Sequence, residues 1–274
     1  MKNEITIVEQ GIVSQVTQFE KLLDTLGLPS QNVIASMDER QNIMNMLPNM
    51  IINMPEEQKR DARYLSKFVA GAAIGLFDAS LNFVWDEVIV SLRKKIVFYG
   101  LDTFFDSAVY DKIRDQYNDE EDLLGIKDKV LLDTLKKLEW ISDIVYRKLC
   151  HILDMRNQIG ASHPNTYDIN SYELLGWLQT CVKEVIADKP SSNAIHVKDI
   201  MENLRNNKQE IDEITLSTIE KAVSEFSTGM AGNLLRSLFG LYIADNTLPE
   251  VRKNILKLSA VVWKYCCLLY TSPS

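Results

Sequence analysis

Arg156, Asn157 and His163 fall within eight residues of one another in the stretch Asp154-Met-Arg-Asn-Gln-Ile-Gly-Ala-Ser-His-Pro-Asn165. Histidine titrates near neutral pH, so it takes or gives a proton without a large pKa shift. Arginine offers a planar, bidentate fork that holds a phosphate as charge grows on its equatorial oxygens. Asn157 can orient Arg156 or donate to a phosphate oxygen. Together these side chains suit acid–base chemistry at a phosphate ester. Plainer accounts exist for each. Arg156 also complements a helix C-terminal dipole, and His163 beside Pro164 can be a loop histidine bonded to a neighbouring carbonyl. Asp154 reads as a solvated helix residue, or as a partner that orients Arg156.

The elements around these residues read as helices. From Ile126 to Ile159 there is neither Gly nor Pro, and Leu131, Leu135, Leu138, Ile141, Val145, Leu149 and Ile152 step by three or four. That period marks a face packed in a bundle. Ser142-Asp143 can cap a break, which predicts helices at about 127–139 and 142–158, the second ended by Gly160. After a loop with Pro164 and Asp168, Asn170 or Ser171 caps a helix with Leu174, Leu175, Leu178, Cys181, Val182, Val185 and Ile186 inward. Arg147 and His151 form a second Arg-His pair, but only four residues apart inside one helix, an ordinary flank pair with no chemistry assigned.

Elsewhere the pattern is also helical. Residues 4–28 carry a helical period that Gly27 and Pro29 end. Asp38 is placed as the cap of a helix to about Met46; Pro48 and Pro55 bracket a short segment, and Pro55-Glu-Glu opens another helix. The run Phe68 to Trp85 is nearly apolar enough to span a membrane, with Gly71, Gly75 and Ala79 as a small-residue stripe. Asp78 and Asn82 interrupt it, so a buried core helix is expected, with no membrane partner. The acidic run Asn118 to Asp122 reads as a solvated loop, and Lys189-Pro-Ser-Ser-Asn193 as a linker. Further helices are expected at about 197–207, 212–241 and 248–266, with Gly229, Gly232 or Gly240 breaking the middle one. His196 and the tryptophans at 85, 140, 177 and 263 are read as structural.

Composition narrows the classes. The 274 residues are 46% hydrophobic and 25% charged, with only 11 Gly and 7 Pro, too little turn material for an all-β fold. A net charge of −8 argues against broad coating of nucleic acid, though a local basic cleft can coexist with it. Cysteines at 150, 181, 266 and 267 form no C-x-x-C pair, and with three histidines there is no metal-ligand spacing. Reduced thiols and the lack of an apolar run behind Met1-Lys-Asn-Glu-Ile lead us to expect a cytoplasmic protein. Phosphate-loop, dinucleotide, nucleophile-elbow and zinc-protease motifs are missing. No cofactor and no metal are expected. The last eight residues, Cys267-Leu-Leu-Tyr-Thr-Ser-Pro-Ser274, resemble a translated sequencing adapter, so the native gene is expected to continue differently past Cys266.

The Arg-Asn-(five residues)-His arrangement resembles the signature of the HEPN superfamily, whose active members are metal-independent ribonucleases. The likeness covers about residues 70–187. Gly75-Leu-Phe-Asp-Ala-Ser-Leu-Asn-Phe-Val-Trp85 looks like the first core helix of some HEPN families. Leu153-Asp-Met-Arg-Asn157, His163 and the helix near Ser171 complete the order helix, Arg, loop, His, helix. The resemblance implies an all-α fold, a HEPN-like helical bundle with additional N- and C-terminal helices. The division expected is 1–66, an N-terminal helical region; 67–188, the bundle; 194–266, a C-terminal helical region; and 267–274, a non-native tail. It further implies RNA as substrate and Arg156, His163 and Asn157 as catalytic residues, in a toxin or antiphage-defence setting. A homodimer would bring two Arg-His sets to one cleft, and a regulatory protein partner is left open. Two other readings stand beside it: a catalytically silent HEPN-like scaffold for dimerisation or RNA binding, and a helical interaction protein in which the likeness is accidental.

Overall fold

The three-to-four-residue apolar spacing becomes helix throughout. A computed structural model describes residues 16–109, 111–159, 167–206, 209–245 and 247–266, and among them there is no strand. Residues 16–25 form α1; then come α2 (Met37–Ile51), α3 (Glu56–Asp61), α4 (Arg63–Ile74), α5 (Phe77–Tyr99), α6 (Leu101–Ala108) and α7 (Asp111–Arg114). They are followed by α8 (Asp128–Lys137), α9 (Asp143–Ile159), α10 (Ser171–Cys181), α11 (Ser192–Asn206), α12 (Glu213–Val223), α13 (Thr228–Ile243) and α14 (Pro249–Cys266). The all-α expectation holds for the described residues. Two compact units are built from separate stretches: residues 1–92 with 147–188, and residues 93–146 with 189–274.

In the first unit, α1 closes as its sequence predicts. Gly27 has φ +71°, its N–H donates to Asp24 O at 3.0 Å, and Leu28 N–H donates to Leu23 O at 2.9 Å. These are the two bonds of a Schellman close, where glycine meets no Cβ penalty. α2 begins on Ser36, not Asp38: the Ser36 hydroxyl accepts from Glu39 N–H at 3.4 Å, while Asp38 sits in the first turn. The helix also continues through Pro48, past the expected end at Met46. In a last turn proline costs one hydrogen bond, and Pro48 O still receives Ile52 N–H at 2.9 Å.

The apolar run expected as one helix is divided between α4 and α5. Gly75 makes the turn, with φ +101°. A Cβ there would lie 2.7 Å from Ile34 Cγ2 and 3.0 Å from the Ala35 backbone nitrogen, so both conformation and space demand glycine. Gly71 lets the two helices approach, since its Cβ would meet Ser80 Oγ at 2.7 Å. Asp78 interrupts nothing; it occupies the first turn of α5, where the dipole favours it. Among the described residues no helix is long and apolar enough to cross a membrane. α5 instead buries Leu81, Val84, Trp85, Val88 and Leu92. Each such side chain contributes roughly 1.5–3 kcal/mol on leaving water.

α4 lacks a capping side chain at Ala62. The deficit is met from α5: the Glu87 carboxylate accepts from Tyr64 N–H at 2.8 Å and from Leu65 N–H at 3.1 Å. Glu87 is only 4% exposed, a buried charge satisfied by two helix-start donors. α2 packs against both α4 and α10. All seven side chains expected to face inward from Leu174 to Ile186 are buried, the last three on a π turn, Val182–Ile186, that extends α10.

In the second unit, α6 packs on α8. The acidic run is a bonded turn: Asp122 Oδ2 accepts from Asn118 N–H at 2.6 Å and Asp119 N–H at 3.0 Å, which holds its carboxyl below the usual range. Glu139, at φ +58°, ends the α8 region, and Ser142 caps α9 through Val145 N–H at 3.2 Å. α12 and α13 separate at Ser224-Glu-Phe-Ser227 rather than at a glycine. Ser227 caps α13 through Met230 N–H at 3.0 Å, and its hydroxyl donates to the Glu139 carboxylate. Of the three glycines only Gly229 marks a close approach: a Cβ there would stand 1.8 Å from Glu139 Oε1. Leu204, Val223, Leu234, Leu238, Ile255 and Leu258 lie in one buried cluster joining α11 to α14.

Candidate functional site

α9 is oriented by Leu149, Ile152 and Leu153, all buried. Arg156 follows Ile152 by four and Leu153 by three, so helical geometry sets it at the edge of the buried face, half-buried in the last turn. Its Nη1 donates to Asn157 Oδ1 at 3.1 Å. Its Nε is buried and has no partner among the described residues. Asn157 and Asp154 are exposed. The structure therefore brings Arg156 and Asn157 together. His163, with Pro164 and Asn165, lies outside the described residues.

Residues 167–173 are firmly held. Asn170 and Glu173 form a capping box: Glu173 N–H donates to Asn170 Oδ1 at 3.0 Å, and Asn170 N–H donates to Glu173 Oε2 at 3.3 Å. The Tyr167 hydroxyl donates to Glu173, and that carboxylate raises the tyrosine pKa. Ser171 N–H donates to the Glu39 carboxylate of α2, and Asn42 Nδ2 reaches Ser171 Oγ at 3.5 Å.

Ile159 and Tyr167 both line a cavity of about 410 Å³ together with Glu39, Asp78 and Asp168. Three carboxylates give this cavity a field that disfavours a phosphate. Sequence reasoning missed Glu39 and Tyr167. The Asn170-x-x-Glu173 spacing was the only local signal in this region, because a contact from residue 39 to residue 171 leaves no mark in either neighbourhood.

His151 and Trp177 meet edge to face, with ring centroids 6.4 Å apart; Trp177 is buried and packs, while His151 is exposed. Among the described residues, no three His, Cys, Asp or Glu side chains come together as metal ligands. Cys150 and Cys181 are free thiols, and burial pushes the Cys181 pKa up to about 12. Comparison of the chain with protein-family models, curated proteins and solved structures gave no match.

Proposed function

We propose that the chain is a metal-independent endoribonuclease of HEPN type, acting in a bacterial toxin or antiphage-defence setting. The observation that supports this reading best is the Arg156–Asn157 pair at the exit of α9, with the asparagine orienting the guanidinium at 3.1 Å and Nε left without a partner among the described residues. An oriented, partly unpaired fork is suited to a phosphate.

In the reaction, the ribose 2′-hydroxyl attacks the adjacent phosphorus and the bond to the 5′ oxygen breaks. The products are a 2′,3′-cyclic phosphate and a 5′-hydroxyl. His163 moves a proton at the attacking or leaving oxygen, and Arg156 stabilises charge on the phosphate. A homodimer would supply a second Arg-His set for the other oxygen.

The test is incubation of the purified protein with mixed RNA in excess EDTA, beside His163→Ala and Arg156→Ala. Cleavage by the wild type alone, leaving cyclic phosphate ends, is expected, with loss on the order of 100-fold or more in either variant. Equal cleavage by all three proteins would overturn the assignment. The second reading, a catalytically silent scaffold, is favoured by the cavity lined by the Glu39, Asp78 and Asp168 carboxylates. It predicts a dimer that does not cleave RNA.

A further inference from the structure

His196, read from the sequence as structural, is exposed and lines a groove of about 680 Å³ in the second unit. The groove runs between α11 and α12, which both pack on α14. Asn193 Nδ2 donates to Glu225 O at 3.2 Å, so the start of α11 lies beside the end of α12. The two helices are thus antiparallel, and between residues 196 and 204 the groove follows about 12 Å of α11.

The two ends of the groove differ. At the far end Leu204 is buried and Ile211 half-buried, and Asn254 of α14 forms the floor at 1% exposure. That amide is already engaged within the chain: Oδ1 accepts from Ile211 N–H at 2.9 Å, and Nδ2 donates to Gln209 O at 2.7 Å. On the α12 wall the Thr218 hydroxyl likewise donates to Ile214 O at 2.9 Å. Ile200, Ile214, Ile219 and Ala222 complete an aliphatic lining that contains no Phe, Tyr or Trp. A flat ring has nothing to stack on here, whereas a methylene chain meets branched aliphatic side chains along its length.

The near end carries charge without partners. Asp199, Lys221 and Glu225 line the groove there and are exposed, and none of their side chains has a hydrogen-bond or ion-pair partner among the described residues. With histidine counted as neutral at pH 7, two carboxylates stand against one ammonium. The field at this end therefore favours a cation and disfavours an anion. Apolar lining with a few polar groups gathered at one end is the usual make-up of a small-molecule site.

We infer that the α11–α12 groove binds an aliphatic amine. The chain lies over Ile200, Leu204 and Ile219, and the protonated amino group sits between Asp199 and Glu225. The groove belongs wholly to the second unit, and its test does not depend on RNA cleavage.

The probes are octylamine, octanol and octanoate, which share one chain and differ in the charge of the head. Each is titrated at pH 8, below its micelle-forming concentration, into the full chain with isoleucine methyl groups labelled for NMR. An ordinary alkylammonium titrates near about 10.4, so octylamine carries its charge there. The methyl signals of Ile200, Ile214 and Ile219 are expected to shift, with octylamine about fivefold tighter than octanol and octanoate weakest, the scale of exposed charge pairs. Asp199→Asn combined with Glu225→Gln should bring octylamine within about twofold of octanol, while Lys221→Gln should leave octylamine the tightest binder. Thr218→Trp fills the groove from an exposed position, and should weaken both octylamine and octanol on the order of tenfold with an unchanged circular-dichroism spectrum. No shift with any probe, equal binding of all three, or tightest binding of octanoate would overturn the proposal. So would binding that survives Thr218→Trp, or tighter binding of phenethylamine, which has the same carbon count with a flat ring.

Discussion

The starts of α4 and α10 solve one problem by different routes. Each leaves backbone N–H groups without helical partners. At α10 the answer is local, the Asn170–Glu173 box, with Glu39 of α2 added on Ser171 N–H. At α4 nothing local serves, and Glu87 arrives from α5 to take both Tyr64 and Leu65 N–H. A local cap stabilises its own helix, whereas a remote one also ties two helices together. α13 lies between them: Ser227 caps it locally while Glu139 holds the serine.

The comparison can be broken most sharply at Glu87. Glu87→Ala strands one buried and one part-buried donor and opens a void, so unfolding free energy should fall by about 2–3 kcal/mol in a denaturant titration. A loss under about 0.5 kcal/mol would make the remote cap unimportant. Asn170→Ala comes next, at about 1 kcal/mol, because Glu39 still serves Ser171 N–H.

The smallest effect belongs to Asp212, an exposed local cap of α12 whose carboxyl is held below its usual range by Thr215 N–H at 2.7 Å. A lowered folded pKa contributes stability above the ordinary aspartate value of about 3.9. That contribution is lost as pH falls through the folded value. Thr215 amide exchange should therefore quicken in acid in the wild type and lose that dependence in Asp212→Asn.

The same contrast explains what could be read from the chain. Helices at 128–137 and 143–159, and the inward face from Leu174 to Ile186, follow from apolar spacing and nearby caps. Periodicity shows that a face is apolar but not what will cover it. It therefore left the exposed Trp263 among the packed tryptophans and passed over the break at Gly75, which depends on Ile34 and Ala35 lying against it. The break before α13 was assigned to glycines because Ser227 carries a weaker signal than three glycines, and Glu139 is 88 residues away. At the candidate site, the Arg156–Asn157 contact is between sequence neighbours and was legible. Glu39 was not.

Glu87 has one more consequence, for the order in which the chain acquires structure. Amides at a helix start ordinarily exchange with solvent by fraying, without disturbing the rest of the fold. Those of Tyr64 and Leu65 are bound to a side chain nearly three turns into another helix, so releasing them requires α5 to pull away. Their protection should then report the opening of the α4–α5 pair as one cooperative unit. α4, with no cap of its own, would gain its first turn only after α5 is in place to supply the carboxylate.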